Sequence, residues 1–189
     1  MASVVKSFAI SGVDAYLVEV ETDTIYGQPM ISIVGLGDTA VKEARERLQA
    51  SLNYARYEFP KMKIVINLAP SDIKKSGSHF DLAMAIGLLI QSSQLTVEEI
   101  DKFGFIGELS LNSILRPCSG VLPMAIAAKE SGITNLIVPV ANVREASLVK
   151  DLNVLGFEKL TDVVAFLTGN PYPLQPEAGL NKSPSRADS

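Results

Sequence analysis

The feature that most constrains this chain is a segment, residues 79–92, that predicts a helix with apolar residues on nearly every side. A helix on the surface of a domain carries one apolar stripe, whereas a helix that is apolar all round lies in the interior. Its longest apolar run, residues 82–90, is too short to cross a bilayer, which takes about 20 residues. The chain must therefore fold other elements around this helix.

Strands and helices alternate on both sides of the segment. Turn residues at positions 11–14 predict a hairpin, and Asp38 is predicted to cap a helix with apolar residues at helical spacing. Thr96 and Glu99 have the spacing of a capping box for a short helix. This alternation predicts an α/β fold, an α+β sandwich. The predicted strands are 4–10, 15–21, 30–36, 63–68, 104–111, 136–140 and 154–157, and the other helices are 120–131, one from Asn142, and 161–167.

The chain is predicted to contain one domain, residues 1–169, followed by a linker. Four of the ten prolines fall in residues 170–189, a composition typical of a flexible, proline-rich segment that leads towards a further module. No secretory segment opens the chain, and its single cysteine, Cys118, allows no internal disulfide. We therefore expect a cytoplasmic protein.

A cluster of basic residues is the candidate surface for nucleic acid or another partner. The net charge of −4 argues against a chain whose whole surface binds nucleic acid. Between residues 38 and 75, however, the basic residues exceed the acidic ones, although such charges also occur where a helix surface is only solvated. The candidate residues are Lys42, Arg45, Arg47, Arg56, Lys61, Lys63, Lys74 and Lys75.

Nucleotide-binding motifs are mostly missing. The chain has no Gly-Lys pair, so it has no phosphate-binding loop of the G-x-x-x-x-G-K-[ST] type. Residues 35–40 do match the G-x-G-x-x-A turn of dinucleotide-binding proteins. The next strand lacks the carboxylate that would bind the ribose, and Asp38 would repel a phosphate. A tight strand-to-helix turn is therefore the favoured interpretation, and no cofactor is expected here.

Catalytic and metal-binding patterns are weak. His79 is the only histidine and could act as a general base with Asp81, but Ser78 and Asp81 have the spacing of a capping box, which we favour. Cys118 and Ser119 precede a predicted helix without a nearby base, so Ser119 is predicted to be a cap. One histidine and one cysteine do not predict a metal site.

Three blocks of sequence resemble one known family. They are VGLGDTAVKEARER at residues 34–47, the stretch from NLAP at residue 67 to DL at residue 82, and the stretch from GELS at residue 107 to GVLP at residue 123. In order and spacing they resemble the amino-terminal domain of the YifB/ComM proteins, which are Mg-chelatase-like AAA+ ATPases. Gly37 and Ala83 stand where that family more often has proline.

The resemblance implies a ribosomal-protein-S5-domain-2-like fold, related to the proteolytic domain of Lon, with a left-handed βαβ crossover. Lon-like proteases use a Ser–Lys dyad, and the matching positions here are His79 and Leu122, so the resemblance implies that no dyad is present. Measurable peptidase activity that is lost on changing Ser78 or Ser119 would refute this expectation.

The same resemblance implies a function for the chain within a larger protein. Family members carry an AAA+ module that binds ATP and Mg²⁺, assemble as hexameric rings, and include a DNA branch-migration helicase of natural transformation. We expect a non-catalytic accessory domain that acts in ring assembly or DNA positioning. The alternatives are a Lon-like peptidase with an atypical nucleophile and a dinucleotide-binding protein.

Overall fold

The computed structural model describes residues 1–73 and 75–172, which form a mixed sheet with helices packed against it. The sheet has seven strands in the order β3-β4-β2-β1-β5-β8-β9, and β6 and β7 form a separate two-stranded sheet. The strands are β1 Ser3–Ser11, β2 Asp14–Ile25, β3 Met30–Val34, β4 Lys63–Ala69, β5 Phe103–Phe105, β6 Glu108–Leu109, β7 Leu115–Arg116, β8 Asn135–Pro139 and β9 Asn153–Phe157. The α-helices are α1 Asp38–Tyr54, α2 Asp81–Gln91, α3 Val121–Glu130, α4 Val143–Ala146 and α5 Leu160–Leu167.

Most strand pairs in the large sheet are parallel. The predicted hairpin is confirmed, since β1 and β2 pair in antiparallel register from Ser3 opposite Thr22 to Ser11 opposite Asp14. The β2–β4 pair is also antiparallel, and the other four pairs are parallel. The α/β class is therefore confirmed. The S5-like topology and the left-handed crossover stay predictions.

Helix α2 lies in the core, as its sequence predicts. Every residue from Asp81 to Leu89 is buried, and the helix packs on β1, β2 and α1. Helix α2 and strand β2 approach closely at Gly87, where an added Cβ would lie 2.8 Å from Oγ1 of Thr22. Each fully buried Leu, Ile or Met side chain of this helix stabilises the fold by roughly 1.5–3 kcal/mol.

Helix α1 buries the predicted stripe but begins differently from the prediction. Ala44, Leu48 and Leu52 are buried against the core. The prediction of an Asp38 cap is wrong, because Gly37 occupies the N-cap position and no side chain bonds the free N–H groups there. Asp38 is instead the first helical residue, where its negative charge still interacts favourably with the positive end of the helix dipole.

Two other predicted elements are wrong. The predicted short α-helix at residues 96–99 does not form. Glu99 has a left-handed backbone (φ 56°), which is incompatible with an α-helix, and a 3₁₀ helix, Ile100–Lys102, follows it. The predicted strand at 104–111 divides into β5 and β6, which belong to different sheets. The division occurs at Gly107, whose N–H donates to His79 O and whose carbonyl accepts from the N–H of Leu82. The backbone there pairs with the start of α2.

Packing continues slightly past the predicted domain end at residue 169. The ring of Tyr172 packs edge-on against Phe157 and Phe166, and its hydroxyl accepts a hydrogen bond from Gly156 N–H at 3.0 Å. Residues 173–189 lie outside the described residues, so the linker stays a prediction. None of the helices in residues 1–73 and 75–172 has the length and apolarity needed to span a membrane.

Candidate functional site

A buried ion pair lies where α2 begins. Arg47 of α1 donates from Nε to Oδ2 of Asp81 at 2.6 Å and from Nη2 to Oδ1 at 3.1 Å. The N–H of Leu109 in β6 donates to the same carboxylate at 3.0 Å. The side chain of Asp81 is 1% exposed and that of Arg47 is 19% exposed. One carboxylate therefore joins α1, α2 and β6.

This ion pair contradicts the predicted capping box at Ser78 and Asp81. The N-cap position of α2 is Phe80, and no side chain makes a capping bond there. The Asp81 carboxylate accepts from Arg47 and Leu109, which are distant in sequence, instead of from its own helix. A bidentate charged partner is a stronger hydrogen-bond donor than a local amide.

The environment of Asp81 strongly raises the pKa of its carboxyl group. Burial raises the pKa of Asp81 to about 6, while the hydrogen bonds and charge of Arg47 oppose that rise. The hydrogen bonds that Arg47 donates to Asp81 in turn raise the pKa of Arg47. Three hydrogen bonds end on this carboxylate, so the pair holds α1, α2 and β6 in position.

Ser78 and His79 lie beside this pair but do not contact each other in a catalytic arrangement. The hydroxyl of Ser78 donates to Oε1 of Glu108. His79 Nε2 donates to the carbonyl of Phe8 at 2.6 Å, and burial lowers the pKa of this histidine. His79 is therefore a neutral ring fixed against β1, and Glu108 is the group that could accept a proton from Ser78.

The positions that correspond to the Lon-like dyad are His79 and Leu122. Leu122 is half-buried in α3 and, with Ile126 and Leu148, lines a shallow apolar depression. A leucine side chain has no group that can accept or donate a proton. Together with the fixed His79 ring, this leaves no nucleophile–base pair at those two positions.

Cys118 and Ser119 do not form a nucleophilic site with a neighbouring base. The N–H of Cys118 donates to Oδ1 of Asn142 at 3.0 Å, and burial raises the pKa of the thiol to about 11. The thiolate needed for nucleophilic attack is therefore scarce at neutral pH. The prediction that Ser119 caps α3 is wrong, because Gly120 holds the N-cap position and no side-chain capping bond is made.

The glycine turn before α1 has a structural explanation. Gly35 has φ +107°, and a Cβ added there would lie 2.9 Å from the carbonyl oxygen of Leu68. The carbonyl of Gly35 also accepts from the N–H of Lys75 at 2.8 Å. Close packing on β4 and the segment after it therefore accounts for this glycine without a bound nucleotide.

The candidate cations do not all lie on one surface. Arg45 and Arg47 are two residues apart in α1, about 200° around the helix, and therefore flank opposite sides of it. Arg45 Nη1 reaches Ile31 O at 3.5 Å on β3, whereas Arg47 pairs with Asp81. Lys75 is buried, and its Nζ donates to the carbonyls of Pro70 and Ile73. Lys74 lies outside the described residues.

The other four candidates are more accessible. Lys42, Arg56 and Lys61 are exposed, and Lys63 is half-buried at the start of β4. Lys61 and Arg45 line parts of one groove along the outer side of α1, which the sequence analysis did not predict. Phe59 lines all three adjoining depressions of this groove, of about 800, 500 and 260 Å³.

The α1 groove combines aromatic, amide and charged side chains. Tyr57 and Phe59 supply rings, and Asn53 and Gln94 supply amides. Its carboxylates, Glu46 and Glu58, offset the two cations. The closely spaced aromatics after α1, at positions 54, 57 and 59, are the sequence signal that could have indicated it.

Comparison with known proteins gives one consistent match. The family model described as subunit ChlI of Mg-chelatase matches residues 20–142, more than half of the chain. The chain is 42% identical over 167 residues to competence protein ComM of Haemophilus influenzae and 40% identical over 167 residues to YifB of Escherichia coli. Each alignment covers 88% of this chain and 33% of the relative. The chain thus spans about a third of the length of these curated relatives.

A weaker similarity extends to Lon proteases. Lon protease 2 of Bacillus subtilis is 28% identical over 104 residues, which is 54% of this chain and 18% of that protein. The similarity agrees with the expected relation to Lon, at a level well below that of ComM and YifB.

Proposed function

This chain belongs to the YifB/ComM family of Mg-chelatase-like proteins, and we propose that it is a non-catalytic accessory domain that positions DNA beside an ATPase motor or helps to assemble the motor's ring. The proposal rests on the residues found at the two positions that correspond to the Lon-like dyad. His79 is bonded to Phe8 O, and Leu122 has no titratable group. A chain with sequence similarity to Lon but without a nucleophile and a base at these two positions favours a binding or positioning role.

The remaining parts of the proposal concern the whole protein. We place the ATP- and Mg²⁺-binding AAA+ module in the two thirds of the relatives that this chain does not match. The partners would be that module, DNA and further copies of the protein in a hexamer. The name of the Haemophilus influenzae relative, a competence protein, supports a role in natural transformation, and DNA branch migration is the activity that we propose for the whole protein there.

The α1 groove is the surface we assign to DNA. Aromatic rings stack on bases of any sequence, and cations contact the phosphates between them. Phe59 and Tyr57 supply the rings, and Lys61 and Arg45 the charges. The groove therefore favours single-stranded DNA.

A Lon-like peptidase is the second candidate, and the Ser78–Glu108 hydrogen bond is the observation that favours it. We expect purified chain to hydrolyse neither ATP nor casein above a buffer blank, because its sequence has no phosphate-binding loop and the two positions that correspond to the Lon-like dyad are His79 and Leu122. Ser78→Ala is the control. Casein hydrolysis that disappears in Ser78→Ala would support the peptidase and contradict the accessory role, as would ATP hydrolysis by the pure chain.

DNA binding tests the groove directly. Fluorescence anisotropy with labelled single-stranded DNA should show affinity that falls steeply with salt. Phe59→Leu keeps an apolar side chain but removes the stacking ring, so the Kd should rise about tenfold. Lys61→Gln should weaken binding and reduce the salt slope by about 1 if Lys61 contacts a phosphate.

Lys129→Gln removes an equal charge from α3, outside the groove, and is the matched control. Its Kd should equal that of the unsubstituted chain. If Lys129→Gln weakens binding as much as Lys61→Gln does, the cations act only through net charge and the groove is not the DNA site.

A further inference from the structure

We propose that a second depression, between the carboxyl end of α1 and the amino end of α5, binds a phosphate group. Its volume is about 310 Å³, and Arg56, Ser113, Lys159 and Thr161 are among its lining residues. That volume lies at the lower end of the range for small-molecule sites, roughly 300–1,000 Å³. A single phosphate group with a small substituent therefore suits it.

The charges at this depression are all positive. Arg56 and Lys159 line it, and no carboxylate does. Neither cation forms an ion pair with any residue in the described part of the chain. Two unneutralised cations beside one depression are notable in a chain of net charge −4. A guanidinium donates two parallel hydrogen bonds to a phosphate, and an ammonium adds a point charge.

A hydroxyl lies at the base of the depression. Ser113 is 4% exposed, and its Oγ lies 3.0 Å from Oγ of Ser51, with which it shares a hydrogen bond. When Ser51 donates in that bond, the hydroxyl hydrogen of Ser113 can turn towards the depression. A phosphate oxygen in the depression would accept it. Thr161 adds a hydroxyl from the first turn of α5, where Asp162 partly offsets the positive end of the helix.

Backbone geometry gives independent support. Arg56 (φ +66°) and Ser113 (φ +67°) are two of the five non-glycine residues with positive φ in the described chain, and both line this depression. Arg56 follows the last turn of α1, where glycine is the residue that fits best. Strained residues of this kind cluster at binding sites. An arginine at that position therefore carries its charge to the site at a cost to stability.

Titration with inorganic phosphate tests the proposal, with sodium chloride keeping the ionic strength constant. We expect saturable chemical-shift changes in ¹H–¹⁵N spectra at the amides of Ser113 and Thr161. Arg56→Gly should raise the Kd at least tenfold while leaving the melting temperature unchanged or higher, because glycine suits the positive φ. Lys159→Gln should weaken binding similarly, and Lys129→Gln, with the same loss of charge elsewhere, should not.

Two further ligands identify the source of the phosphate. If it belongs to a small phosphomonoester, glycerol phosphate should shift the same amides at lower concentration than inorganic phosphate does. If it belongs to nucleic acid, a short oligonucleotide should shift them, and Arg56→Gly should reduce the salt slope by about 1. The absence of saturable shifts with all three ligands, or equal shifts in Arg56→Gly, would overturn the proposal. The phosphate titration needs neither DNA nor ATP, so its result is independent of the proposed function.

Discussion

Arg47→Met is expected to lower the free energy of unfolding by about 3–5 kcal/mol at pH 7.5. The substitution keeps an apolar stem of similar length, so little packing is lost. It leaves the carboxylate of Asp81, 1% exposed, with Leu109 N–H as its remaining hydrogen-bond donor. Removing one partner of a buried pair costs far more than the pair contributes, because the other charge stays buried without compensation. Urea unfolding followed by circular dichroism measures the loss.

The loss should shrink as the pH falls. The pKa of Asp81 in the folded chain is about 6, above its ordinary value of 3.8, and burial is the main cause. Between these two values the folded state binds more protons than the unfolded state, so this group makes the protein less stable as the pH rises through that window. Without Arg47, which opposes the shift, the folded pKa rises further. Protonation at pH 5 then removes most of the penalty.

Arg45→Met is the matched control, since Arg45 lies on the opposite flank of α1 and only reaches Ile31 O at 3.5 Å. It should cost less than about 1 kcal/mol and show no pH-dependent recovery. Asp81→Asn should remove the fall in stability that Asp81 causes as the pH rises from about 4 to about 6, because it removes that titrating group, whereas the contribution of His79 should persist. A loss in Arg47→Met that is equal at pH 7.5 and pH 5 would contradict the assignment of a buried, titrating Asp81.

Sequence patterns predicted best the elements whose hydrophobic pattern extends over many consecutive residues. Helix α2 has an uninterrupted apolar run over nine of its eleven residues, 82–90, and burial on all sides is the arrangement that suits such a run. The β1–β2 hairpin has two alternating runs joined by a short glycine-containing turn. Each of these signals lies within a single stretch of chain, so no distant partner is needed to interpret it.

The predicted capping box before α2 failed because distant partners outcompete the local one. Ser78 and Asp81 have the spacing of a capping box, yet Arg47, 34 residues before Asp81, binds the carboxylate. Glu108, 30 residues after Ser78, accepts its hydroxyl. No pattern within a short window shows these contacts. The α1 groove and the phosphate depression were missed for the same reason, because each forms only when α1 packs beside other segments.

Gly35→Ala is expected to lower the free energy of unfolding by about 3 kcal/mol. The same change tests whether the glycine turn before α1 is explained by close packing or by dinucleotide binding. An alanine at φ +107° is strained by roughly 1–2 kcal/mol. Its Cβ would also lie 2.9 Å from the carbonyl oxygen of Leu68, a backbone atom of β4 that cannot move without disturbing the sheet. Overpacking of this kind costs about 1–3 kcal/mol.

Gly37→Ala is the matched control within the same turn. Gly37 has φ −68°, and a Cβ added there meets nothing within 4 Å, so the change should cost less than about 1 kcal/mol. A dinucleotide site would need Gly37 open for the approach of a pyrophosphate. If NAD raised the melting temperature of the unsubstituted chain and Gly37→Ala abolished that rise, the turn would be a ligand site. A large loss of stability in Gly35→Ala alone, with no response to NAD, is the outcome that close packing on β4 requires.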